Sequence, residues 1–155
     1  MQFQTLDEYP QGWIFRHREL PLAEAVLADI HPLSEAAAMQ FWKQNISKEA
    51  THASHFLGDD WPSRNGIWQP KEDWQTCWES EDMALPESLN FADWAPNTMV
   101  FFCYDHHHVI QTTWATFKQS WKNFLFYDDE PILIGKKRSQ VARFHSNGFY
   151  EVGEK

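Results

Sequence analysis

The chain has 155 residues, with 13 Lys and Arg against 22 Asp and Glu, for a formal net charge of −9. Its 43% hydrophobic and 16% aromatic residues supply a core, which excludes a disordered chain, and the length suits one domain. The longest apolar run, Met99 to Tyr104, is far short of the roughly 18 residues that a membrane span needs. No membrane association is expected. The first ten residues lack the basic start and apolar stretch of an export signal. Cys77 and Cys103 match neither a disulfide framework nor a cysteine zinc motif, so a reducing cytoplasm is the expected setting.

No internal repeat is visible, and the chain falls into three compositional zones. In the first, Trp13 to Arg18 reads as a short strand, and apolar residues from Leu22 to Phe41 recur at steps of three and four, the spacing of a helical face. Pro32 lacks an amide donor and restricts the residue before it, which predicts two helices rather than one, the second capped by Ser34. Ser47 is positioned to cap a further short helix ending near Gly58.

The second zone, residues 58 to 97, holds nine acids against Arg64 and Lys71, a net −7, with five of the nine tryptophans and four of the eight prolines. Most of the negative charge therefore sits in about a quarter of the chain. Its prolines, with Gly66, leave room only for a short helix from about Lys71 to Glu79, so the zone is expected to be mostly loop pinned by aromatics.

The third zone is the most regular. Thr98 to Tyr104 is β-branched and aromatic with apolar residues on both faces, as a central strand requires. A turn at Asp105 to His107 and a short strand at Val109 to Gln111 follow. Trp114, Phe117, Trp121, Phe124 and Leu125 then share one face of a helix begun by Thr112 or Thr113, a stripe that reads as core packing. Strands at Ile132 to Ile134, Gln140 to His145 and Phe149 to Val152 complete the zone, the last two joined by an Asn-Gly turn. The order predicts a single α+β domain: N-terminal helices and one helix of the C-terminal half, packed on a mainly antiparallel sheet.

Three kinds of chemistry are open to these residues. His106 and His108, with His52, His55 or a nearby acid, are the candidate ligands of zinc or another divalent metal in a metal-dependent enzyme. No established ligand spacing is matched, and in an extended segment only His106 and His108 point the same way. Tryptophans beside acids also suit a carbohydrate-binding module. Nucleophile elbows and glycine-rich phosphate loops are absent. Nucleic acid is not an expected partner, because Lys136-Lys137-Arg138 with Arg143 is a small basic patch on an acidic chain, and it reads as a turn that protects a sheet edge.

The acidic tryptophan zone suits a third chemistry, capture of a basic protein or peptide. Indole faces attract cations, and carboxylates steer them in. The expected anchors are Trp61, Trp68, Trp74 and Trp78, with Asp59, Asp60, Glu72 and Asp73 supplying the field. The expected function is thus a soluble, non-enzymatic binding protein without cofactor, immunity-type in one concrete form.

From Met99 onward, the stretch T-W-A-T-F-K-Q-S-W-K-N-F-L-F-Y-D-D-E-P-I-L-I-G-K-K-R and the hairpin N-G-F-Y-E-V-G resemble a small uncharacterised family of proteobacterial cytoplasmic proteins. The resemblance covers about a third of the chain. It implies one intracellular domain and brings with it no activity and no site residue.

Overall fold

A computed structural model describes residues 1–91 and 93–155. In chain order its elements are α1 (Glu24–Leu27), β1 (His31–Pro32), α2 (Glu35–Asn45), β2 (Glu72–Asp73), α3 (Gln75–Glu79), β3 (Met99–Asp105), β4 (His108–Thr113), α4 (Trp114–Phe124), β5 (Ile132–Gly135), β6 (Gln140–Phe144) and β7 (Phe149–Glu154). Among the described residues the strands form one antiparallel sheet in the order β1-β4-β3-β5-β6-β7-β2, the α+β architecture that the patterning predicts. None of these helices is long and apolar enough to cross a membrane.

Both faces of the sheet are covered, and alternation along β3 shows why. Val100, Phe102 and Tyr104 enter one core with Trp114, Phe117, Trp121 and Phe124 of α4, while Phe101 and Cys103 enter a second with Phe41 and Trp42 of α2. A strand buried on both sides has no polar face to offer, hence its unbroken apolar run. Helix α4 starts where Thr113 accepts the amide of Thr116, and α2 where Ser34 accepts that of Ala37. The Asp29 carboxylate accepts the hydroxyls of Thr113 and Thr116 at the start of α4. Burial pushes its pKa up, but those two bonds and nearby His31 together hold it below the ordinary carboxylate value.

Four local expectations differ from what the chain does. Trp13 to Arg18 is not a strand, for Gly12–Phe15 forms a 3-10 turn in which Ile14 and Phe15 are both fully buried. A side chain at Gly12 would place its Cβ 2.1 Å from the Leu6 carbonyl oxygen, so the chain approaches itself there as only glycine permits. Residues 47 to 58 contain only the 3-10 turn Ala53–His55, because Ser47 bonds Asp60 and the Ala50 amide as a loop staple instead of capping a helix. The helix expected from Lys71 begins later, since Glu72 and Asp73 pair with Tyr150 and Phe149 as the edge strand β2. Finally, the basic turn Lys136 to Arg138 joins two interior strands, β5 and β6, and protects no edge; the sheet ends instead in β1 and β2, strands of two residues each. Pro32, without an amide donor, is well placed in such an edge strand.

Candidate functional site

Helix α3 is short, and it is fixed from outside. The Asp73 carboxylate accepts both the amide and the hydroxyl of Thr76, and the amide of Trp74 bonds the carbonyl of Gly148. Gly148 has φ of 92°, in the left-handed region that its turn demands, and a Cβ there would lie 2.4 Å from Gln75 Oε1. Four positions apart, Trp74 and Trp78 lie on one side of α3 and pack against the α4 core.

Opposite α3, the chain leaving α4 runs through Phe126, Tyr127, Asp128 and Asp129. Between these walls lies a cleft of about 260 Å³, lined by Trp74, Trp78, Phe126 and Tyr127 and by the acidic residues Glu79, Asp128 and Asp129. Trp78 and Phe126 face each other at 5.9 Å between ring centroids. Among the described residues no Lys or Arg side chain of the protein pairs with these three acids. Asp129 is held in place by the amide of Glu130 and by His52, both at the same oxygen. Aromatic rings beside carboxylates without a Lys or Arg partner attract cations: the ring faces through their quadrupole, the acids through charge.

The eight residues proposed from sequence separate on folding. Trp61 and Trp68 pair with each other, 6.1 Å between centroids, against the α2 core on the other face of the sheet. Asp60 accepts the Ser47 hydroxyl and the Leu57 amide as a turn residue, and Asp59 is exposed beside it. Glu72 accepts the hydroxyl of Ser88, while Asp73 starts α3. Only Trp74 and Trp78 reach the cleft, and Glu79, Asp128 and Asp129 supply its charge. All four indole N–H groups are engaged by carbonyls of the chain itself: Trp61 by Asn45, Trp68 by Pro62, Trp74 by His145 and Trp78 by Lys122. What the cleft tryptophans offer a ligand is ring surface.

The candidate metal ligands gather at the same end of the sheet, but as separate pairs. His52 is bonded to Asp129, with His55 6.4 Å away between ring centroids. His108 Nδ1 lies 2.8 Å from Asp105, and His106 stacks on His107 at 3.7 Å. Among the described residues no three His, Cys, Asp or Glu side chains are arranged to hold one ion. His106 and His107 form the two-residue loop of the β3–β4 hairpin, held by the His107 amide on Asp105. His145 is bracketed by Glu151 at 2.7 Å and Glu130 at 3.9 Å.

The Asp105–His108 pair makes a pH prediction. Its bond to Asp105 raises the pKa of His108 above the ordinary histidine value, although burial works against it. Burial pushes Asp105 up, but the His108 bond and the His107 amide outweigh it and leave Asp105 below the ordinary range. Stability from the raised histidine is complete below its unfolded pKa and is lost as pH rises through the folded one; stability from the depressed acid is lost as pH falls through its folded value. The pair should thus contribute most between about pH 4 and 6.5, by on the order of 1 kcal/mol. Urea midpoints of wild type and His108→Asn are expected to differ most in that window and to converge toward pH 9. An equal difference at every pH would refute the ion pair.

Against known proteins, the family described as "Protein of unknown function (DUF2947)" matches residues 3–153. The chain belongs to the DUF2947 family. The match takes in the whole sheet except the final strand residue, and both walls of the cleft. No curated protein and no solved structure matches the chain. Within this family member, sequence reasoning passed over Phe126 to Asp129 as a binding wall. The local clue was present, because two aromatics followed by three acids repeat in miniature the composition of residues 58 to 97.

Proposed function

We propose that the protein is a non-enzymatic binding domain that captures a basic side chain of a partner protein or peptide in the cleft between α3 and the Phe126–Asp129 segment. The observation behind this reading is the combination of four aromatic side chains with three carboxylates that no Lys or Arg of the chain neutralises among the described residues. A cation entering there meets ring faces worth about 0.5 to 2 kcal/mol together with charge-assisted hydrogen bonds to the acids. Neutralising a basic toxin, as an immunity-type protein does, is one form this binding takes. The two free thiols, Cys103 fully buried and Cys77 half-buried, support a cytoplasmic setting for it.

The test is a titration with the peptide acetyl-Gly-Arg-Gly-amide, followed through the indole N–H resonances. Trp74 and Trp78 are expected to shift, and Trp61 and Trp68, on the other face of the sheet, to stay. Glu79→Gln with Asp128→Asn changes two exposed side chains, so folding is preserved while affinity is expected to fall about tenfold, or 1.4 kcal/mol. The wild-type affinity should also weaken as salt is raised, because exposed charges are screened. Unmoved Trp74 and Trp78 resonances, or a double variant that binds as wild type does, would overturn the proposal.

A further inference from the structure

Trp13 is 51% exposed, yet the structure does not leave it isolated. Single apolar residues on a surface are ordinary and need no explanation. This one stands edge-to-face on Phe126, 5.6 Å between centroids at 84°, and Phe126 in turn faces Trp78 at 5.9 Å. An aromatic row therefore runs without a break from inside the cleft to an exposed indole. The turn that carries Trp13 is well anchored, since Ile14 and Phe15 beside it are fully buried and Asn123 holds the Ile14 carbonyl at 2.9 Å.

The two ends of this row differ in charge. Glu79, Asp128 and Asp129 surround its inner end, whereas Arg16, His17 and Arg18 flank Trp13, with Arg16 paired to Asp7 at 2.7 Å and His17 lying on Phe126 at 4.6 Å. The exposed part of Trp13 is indole ring surface, for which an apolar side chain is the better occupant. Two centroid steps of 5.6 and 5.9 Å separate Trp13 from Trp78. In an extended chain, side chains two positions apart point the same way and are roughly 6.6 Å apart at the backbone, and their own length covers the remainder.

Building on the cleft reading, we infer that the partner docks as an extended segment whose basic residue enters the cleft and whose apolar residue, two positions away, covers Trp13. Trp13 is then a specificity determinant that separates a basic-x-apolar segment from one that is merely basic.

The test compares acetyl-Gly-Arg-Gly-Leu-Gly-amide and its reversed order, acetyl-Gly-Leu-Gly-Arg-Gly-amide, with acetyl-Gly-Arg-Gly-Gly-Gly-amide on the full-length protein. One leucine peptide is expected to bind about fivefold more tightly than the glycine peptide, the gain from partial burial of one leucine side chain. It should move the Trp13 indole resonance as well as those of Trp74 and Trp78. Trp13→Ala should lose that gain and keep the affinity for the glycine peptide, which also reports that the variant is folded. If all three peptides move Trp74 and Trp78 with equal affinity and Trp13 stays fixed, this inference falls while the cleft reading stands. If no peptide moves Trp74 or Trp78, both fall.

Discussion

Phe102→Ala is expected to lower the free energy of unfolding by about 3 to 5 kcal/mol, the cost typical of removing a fully buried phenylalanine ring. Phe102 has no exposed surface and sits on β3, between β4 and β5. Its ring lies 5.1 Å from Tyr104, 5.5 Å from Phe117, 5.0 Å from Phe124 and 5.7 Å from Phe144. These partners come from three separate elements, so no single side chain can move in to fill the space, and an interior packed this tightly leaves a cavity when an aromatic ring is removed. Because a domain of this size has only about 5 to 15 kcal/mol to lose, the variant should approach the edge of stability. Urea unfolding followed by tryptophan fluorescence measures it, and a loss below about 1 kcal/mol would show that the core is not packed as described.

Asn123→Ala is expected to cost about 2 to 4 kcal/mol for a different reason, the stranding of polar groups. The fully buried amide nitrogen of Asn123 donates to the carbonyls of Ile14 and Leu20, at 2.9 and 3.0 Å, and so pins the N-terminal segment onto α4. Alanine leaves both acceptors without a donor where water has little access. Asn123→Asp should be worse, because it sets a carboxylate against two carbonyl oxygens, and its deficit should grow as pH rises and the acid ionises. Hydrogen exchange would show where the damage lies: amides of residues 12 to 20 are expected to lose protection ahead of β3 to β7. Since Trp13 belongs to that segment, the variant should also lose the leucine-peptide preference before it loses binding in the cleft. Uniform loss of protection across the sheet would contradict this local role.

The fold was legible where local pattern and tertiary environment agree. The stripe from Trp114 to Phe124 names the buried face of α4, and all four of its aromatic members are buried. Thr98 to Tyr104 reads as a strand with two apolar faces, and both faces are indeed covered. Legibility failed in the N-terminal and middle segments, where long-range contacts decide conformation. Trp13 to Phe15 contains good strand formers, but the close approach to Leu6 and the docking onto α4 select a 3-10 turn.

The site was half legible. Residues 58 to 97 do contain one wall of the cleft, in Trp74, Trp78 and Glu79. Their neighbours Trp61 and Trp68, of the same type and equally close to acids, lie across the sheet and bond into loops. Composition alone cannot separate these two pairs, because it carries no information about the side of the sheet on which a segment docks.

What the sequence by itself determined is the set of strong local elements: the two-sided β3, the amphipathic α4 begun by Thr112 or Thr113, the Asn-Gly hairpin and the concentration of acids and tryptophans. Each follows from residues within a few positions of one another, through alternation at period two, helical spacing or turn geometry. Only the tertiary structure decided that Asp128 and Asp129 stand opposite Glu79, that Asp129 is held by His52, and that Trp13 continues the aromatic row through Phe126. Those contacts join segments far apart in the chain. Their partners were chosen by burial of both sheet faces against α2 and α4, a condition that only the assembled core imposes.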